Sequence, residues 1–124
     1  MTVNYRTPQL TINCLRALAA EVDSIPGTRA VVVDNHSGDG SVEAIRTAIA
    51  VEGWDAWATV LPSDYNGGYA YGNNLAIRPA LQSANPPAAV LLLNSDTQIR
   101  PGALKALVDY LENHPTVGIV GSAM

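Results

Sequence analysis

A single cysteine, Cys14, is all the thiol chemistry that this 124-residue chain contains. One cysteine closes no internal disulfide, and no neighbours stand around it at zinc-ligand spacing. It falls within an apolar helical pattern and reads as a small core residue. Long hydrophobic runs are missing too: no segment approaches the roughly 20 apolar residues of a membrane-crossing helix. The first residues, Met1-Thr2-Val3-Asn4, lack the basic start and apolar stretch of a signal peptide and enter a strand directly. Basic residues are few and scattered. Seven Lys and Arg against eleven Asp and Glu give a formal charge of −4, which excludes the basic face that a nucleic-acid partner calls for. The expectation is a soluble, cytoplasmic module. No linker, repeat or low-complexity tract divides it, so residues 1–124 form one domain. A hydrophobic fraction of 48% suffices for a core and argues against global disorder.

What is present gathers at the ends of apolar runs. Ala88-Ala89-Val90-Leu91-Leu92-Leu93 is followed at once by Asn94-Ser95-Asp96-Thr97. Such a run predicts a buried parallel strand that delivers a carboxylate to its C-terminal edge. In open α/β sheets that edge is where ligands bind. An aspartate between amide and hydroxyl groups suits a hard cation that bridges phosphate oxygens; the bland alternative is a turn or cap residue. Ala30-Val31-Val32-Val33-Asp34 repeats the arrangement, and Asn35-His36-Ser37-Gly38-Asp39-Gly40-Ser41 then opens a helix through Val42, Ile45 and Ile49. Asp39 reads as the cap of that helix, and His36, with no second histidine nearby, as a solvated loop residue. The third segment is Asn66-Gly67-Gly68-Tyr69-Ala70-Tyr71-Gly72-Asn73-Asn74. Its glycines let backbone approach a ligand closely, and its amide side chains add neutral hydrogen bonds.

Strands and helices alternate along the chain, which predicts a mostly parallel sheet with helices on both faces. The strands are expected at about 2–5, 29–34 and 57–61, with a fourth ending at Leu93 and a last one at Val117–Gly121. Helix one follows Pro8 with Leu10, Cys14, Leu15 and Leu18 on its apolar face and ends before Pro26-Gly27. Helix two is expected at about 41–51 and helix three at about 69–82. Helix four should begin with Pro101 in its first turn, carry Leu104, Leu107, Val108 and Leu111 on one face, and stop at His114-Pro115. Trp54 and Trp57 flank the short third strand as packing residues.

Strand–Asp34, the Asn66-Gly67-Gly68 loop and strand–Asp96, in that order, resemble the nucleotide-sugar domain of inverting family 2 glycosyltransferases of the GT-A fold. The subgroups that act on rhamnose and other cell-surface sugars are the most similar. Val3-Asn4-Tyr5-Arg6-Thr7-Pro8 and Arg100-Pro101-Gly102-Ala103-Leu104 fit the same family, so the resemblance spans nearly the whole chain. It implies a GT-A-like α/β fold and a UDP- or dTDP-linked sugar donor held with Mg²⁺ or Mn²⁺. The reaction implied is inverting transfer to a glycan or lipid-linked acceptor in polysaccharide biosynthesis. Asp96 becomes the metal ligand. Many relatives carry Asp-x-Asp where this chain has Asn94-Ser95-Asp96, and one carboxylate with the pyrophosphate still satisfies Mg²⁺. Asn94 then contacts ribose or sugar, and Asp34 accepts the N3–H of a pyrimidine base. Asn4, Tyr5 and Arg6 stand where relatives hold base and ribose largely through backbone; Arg6 reaches the diphosphate or remains a surface arginine. Asn66 and Gly68 precede a helix N-terminus, which attracts anions. Tyr69 stacks on base or sugar or packs in the core, as does Tyr71. Asn73 faces the nucleotide or a neighbouring strand end.

Both ends read as cut. The family continues past this point into an acceptor-binding half that carries a later acid as catalytic base, so the base is expected beyond Met124. The fragment itself is expected to be inactive, to expose apolar surface that favours a homodimer, and to work in a longer protein at the inner face of a membrane. Two alternatives remain. One is an inactive nucleotide-binding or interaction fragment. The other is a sugar-nucleotide nucleotidyltransferase, which needs a Gly-rich basic loop after strand one; Arg6-Thr7-Pro8-Gln9 has no glycine. A dehydrogenase-type G-x-G-x-x-G is likewise absent there.

Overall fold

A computed structural model describes residues 1–122. The elements run β1 (Thr2–Asn4), α1 (Pro8–Ala19), β2 (Ala30–Asp34), α2 (Ser41–Glu52), β3 (Ala58–Pro62), α3 (Tyr69–Leu81) and α4 (Ala103–Asn113), with a 3-10 turn at Val22–Ser24. The strands are parallel in the order β1-β2-β3, and Asn4, Asp34 and Pro62 stand abreast at their C-terminal ends. Local chemistry sets the helix limits. Pro8 lies in the first turn of α1, where its fixed φ is already helical. α2 starts after Gly40 and stops at Gly53, both in the left-handed region that only glycine enters freely.

Strand alternation sends side chains to two faces. Ala30 and Val32 pack with Ile12, Leu15 and Leu18 of α1, Ile45 and Ile49 of α2, and Trp54, Ala58 and Leu104 in one buried cluster. Trp54 and Trp57 are the packing pair expected, with ring centroids 5.8 Å apart. The other face belongs to α3. Val3, abreast of Val33, meets Gly72, where an added Cβ would lie 3.1 Å from both Val3 methyls. Cys14 is buried as expected, and burial pushes its thiol pKa up.

The chain returns along the free side of β1. Met1 N donates to Leu91 O at 2.8 Å and Leu93 N–H to Met1 O at 2.9 Å, the two bonds of a parallel pairing between Met1 and Leu92. The sheet therefore reads β3-β2-β1 and then residues 91–93, with the strand order reversing between β1 and this segment. Such a reversal is where open α/β sheets bind ligands.

Several expectations need correction. Residues 88–93 are not a buried fourth strand: Ala88 and Ala89 are exposed, and Leu92 is about half exposed. The ladder goes no further: Leu93 O, which a continuing pairing would give to Val3 N–H, accepts the Thr2 hydroxyl. Val117–Gly121 forms no strand; it has no ladder partner among the described residues, and Ile119 is 91% exposed. Leu10 leaves the apolar face of α1 and is 46% exposed, while Thr11 is fully buried in its stead. Pro101 lies outside α4, because Gly102 takes φ +81 and caps it. Ala123 and Met124, the end at which the chain reads as cut, lie outside the described residues.

One contact had no sequence signal. Glu21, 5% exposed, accepts the Gly102 N–H on both carboxylate oxygens at 3.0 Å, fastening the start of α4 to the end of α1 across 81 residues. A carboxylate at a helix N-terminus is electrostatically favoured. Glu21→Ala is expected to lower stability by about 1–3 kcal/mol, in the range of hydrogen bonds to charged groups. Glu21→Gln should recover part of it. Thermal denaturation checks both variants, and unchanged midpoints would deny Glu21 this role.

Candidate functional site

The strand ends and the turn after residue 93 bring four polar segments to one edge. At its base lies Asn4, 0% exposed. Its Nδ2 donates to Asp34 Oδ1 at 2.7 Å and to Ser37 Oγ at 3.3 Å. Its Oδ1 accepts the Thr11 hydroxyl at 2.8 Å and the Thr7 hydroxyl at 3.4 Å. Every polar direction of the amide is thus used inside the protein. The side chain therefore holds the edge together from beneath, and the ligand contact expected around Asn4, largely through backbone, does not draw on it.

Asp34 is also buried, at 2% exposure. Oδ1 takes both Asn4 and the Ser37 hydroxyl, the latter at 2.6 Å, whereas Oδ2 takes only the Ser37 N–H at 3.0 Å. A carboxylate oxygen accepts two bonds, so Oδ2 keeps one site. The next turn also serves the backbone. Arg6 has φ +55, its N–H donates to Ser37 Oγ at 2.9 Å, and its Nε donates to Ser37 O at 3.1 Å. Its guanidinium carbon lies 5.2 Å from the centre of the Tyr5 ring, an ordinary cation–π distance. Tyr5 itself is exposed. Asp39 is not the cap expected, since Gly40 takes that position without a side-chain bond; one residue earlier, it accepts both the N–H and the hydroxyl of Ser41, and these bonds hold its carboxyl below the usual range. His36 is exposed, as a loop histidine should be.

The Asn-Gly-Gly turn opens α3. Asn66 Oδ1 accepts the Gly68 N–H at 3.0 Å. Gly68 adopts φ +87 and ψ 179, a region that side chains essentially forbid. Gly67 is small for another reason: a Cβ there would fall 2.3 Å from Cγ of Tyr71. The Tyr71 ring in turn lies 4.6 Å from that of Tyr65, so Tyr71 packs against its own turn. Tyr69 behaves differently. Half exposed, it donates its hydroxyl to Asn94 Oδ1 at 3.1 Å, joining α3 to the turn after residue 93. Asn73 is buried; its Nδ2 donates to Tyr69 O at 3.1 Å, and its Oδ1 has no partner.

Asp96 sits in the turn that the Thr97 N–H closes on Asn94 O at 3.0 Å. It is exposed and makes no hydrogen bond or ion pair among the described residues. No three potential ligands among His, Cys, Asp and Glu gather there or elsewhere in those residues. A divalent cation at this edge would therefore have one protein carboxylate. That fits Mg²⁺ or Mn²⁺ completing its shell with phosphate and water, and does not fit an all-protein cage. Asn35, which carried no expectation, is the polar group the sequence reading missed. Its position between two flagged segments was the signal that could have found it.

An open parallel sheet with this edge is the GT-A fold. The solved structure of mannosyltransferase PcManGT from Pyrobaculum calidifontis, in complex with GDP-Man and Mn²⁺, matches with a TM-score of 0.73 and 24% identity. The match covers 94% of this chain and 32% of that one, so the chain spans about a third of the neighbour's length. No curated protein matches the chain. The sequence model described as glycosyl transferase family 2 matches residues 1–124. The chain belongs to that family.

The two glycines should fail differently. Gly68→Ala strains backbone and Gly67→Ala creates a clash, each costing about 1–3 kcal/mol. Tyr71→Ala should relieve Gly67→Ala and leave Gly68→Ala unrelieved. Thermal denaturation of the singles and doubles distinguishes them; equal relief of both would contradict this division.

Proposed function

We propose that the chain is the donor-binding part of an inverting glycosyltransferase, taking a nucleotide diphosphate sugar together with Mg²⁺ or Mn²⁺. The observation that carries this reading is the free, exposed carboxylate of Asp96 at the strand-order reversal, beside the turn that opens α3. Family membership supports sugar transfer, and the GDP-Man and Mn²⁺ in the fold neighbour support a donor of this class. Asp96 holds the cation, which offsets charge on the departing diphosphate. The Gly68 turn and the start of α3 turn backbone N–H groups toward anionic oxygens. Asn94, oriented by Tyr69, meets ribose or sugar. Tyr5 and Arg6 border the base, with Arg6 within reach of phosphate.

Asp34 Oδ2 retains the acceptor site for a base N–H. This favours the uridine or thymidine donor over the guanosine one, since a single acceptor matches the single N3–H of a pyrimidine. The acceptor is a glycan or lipid-linked sugar in polysaccharide assembly, and the enzyme is of the rhamnosyltransferase-like kind that the motifs resemble. No carboxylate of the described residues is assigned as the base for the acceptor hydroxyl. No helix among the described residues is long and apolar enough to cross a membrane, and the working place proposed is the cytoplasm, at the inner membrane face. A homodimer would use the exposed apolar residues, such as Leu92 and Ile119. Family membership turns the reading away from a nucleotidyltransferase; the inactive nucleotide-binding fragment is the reading that remains beside it.

Calorimetric titration of UDP, dTDP and GDP, with and without Mn²⁺, tests the site. Binding should need the metal, and Asp96→Ala should weaken it by more than about tenfold. Metal-independent binding, or none by a demonstrably folded chain, would reduce the likeness to ancestry and fold.

A further inference from the structure

Asn35 is 3% exposed, the residue next to Asp34, and belongs to no regular element. Its N–H donates to Asn4 O at 2.8 Å, continuing the β1–β2 pairing by one step. Its side chain reaches away from that pairing. Nδ2 donates to Asn66 Oδ1 at 2.8 Å and to Gly68 O at 3.2 Å. Asn66 Oδ1 is the same atom that accepts the Gly68 N–H. Both donors of one buried amide are therefore spent on one turn, more than 30 residues distant along the chain.

The other end of the amide is unsatisfied, because Asn35 Oδ1 is buried without a partner. Such an orphan costs stability. A small apolar residue would avoid that cost, so packing does not account for an amide here. What an apolar residue cannot do is hold Asn66 and Gly68. Gly68 has no side chain of its own with which to fix its φ +87 conformation, and its Cβ position faces open space. The bonds from Asn35 and Asn66 supply the restraint that sterics do not.

Resting on the donor-site reading above, we propose that Asn35 is a positioning residue for the diphosphate end of the donor. It locks the Asn66-Gly67-Gly68 turn so that the first N–H groups of α3 stand ready for phosphate. It acts through that turn and touches no ligand.

The test combines binding with hydrogen exchange on the same variants. The titrations of UDP and dTDP with Mn²⁺ are run on the unchanged chain, Asn35→Ala, Asn66→Ala and the double variant. Exchange of the Gly68 amide is followed without ligand. Asn35→Ala should weaken binding about tenfold and speed exchange at Gly68 while β2 and α2 amides keep their protection. The double variant should lose less than the product of the single losses, as coupled residues do. Asn35→Asp keeps the shape and removes the donors; it should match Asn35→Ala in the Gly68 exchange. Unchanged Gly68 exchange in both Asn35 variants would overturn the proposal, as would fully multiplicative losses. If the unchanged chain binds no nucleotide, the donor-site reading fails and the proposal with it, while the exchange result still decides separately whether Asn35 holds the turn.

Discussion

The site depends on a buried amide. Asn4 joins the end of β1 to Asp34 at the end of β2, to Ser37 in the following turn and to Thr11 in α1. Each neutral bond contributes only about 0.5–1.5 kcal/mol net. Their joint effect is larger, because Asp34 is buried and its oxygens find their donors only in Asn4 and Ser37. The turn after β2 inherits its position from this group: Ser37 binds Asp34, and the Arg6 backbone binds Ser37. A single amide thus sets the mutual position of two strand ends, one helix start and one loop.

From that base the edge divides into fixed and free groups. Asn4, Asp34, Asn35 and Ser37 are buried and cross-bonded, and they define shape. Tyr5, Tyr69 and Asp96 are exposed and carry what a ligand would meet. The division has an electrostatic sense. A carboxylate free of protein partners gives up only water when a cation arrives, whereas one already holding protein donors would have to give those up. In the proposed reading Asp96 would recruit the cation, while Asp34 keeps its protein donors and offers only the free site on Oδ2.

Strands ending in acids, amphipathic helices and a glycine-rich turn are local patterns, so β2, α2, β3 and α3 were legible within a residue or two. What failed was nonlocal. The 88–93 run carried enough apolar residues for a buried strand, but burial needs neighbours on both sides, and among the described residues only the start of β1 flanks it, at 91–93. Leu10 and Thr11 exchanged roles because Thr11 is claimed by Asn4, a partner that helical periodicity does not reveal. Asn4 itself was read as a ligand contact because it stands where relatives hold base and ribose, largely through backbone. Only the fold shows that its partners are Asp34 and Thr11. Pro101 misled by fitting a helix start that Gly102, held by Glu21, places two residues later. Family resemblance located the site segments; which of their side chains face inward was decided by packing.

Gly72 touches no candidate ligand group, yet its missing side chain lets α3 rest directly on Val3. The helix carries at its forward end the turn proposed to meet phosphate, so the thickness of that contact sets how far the turn stands from β1. A methyl group at Gly72 would act as a shim, easing the turn away from β1 by a few tenths of an ångström while leaving every residue along the edge in its native identity.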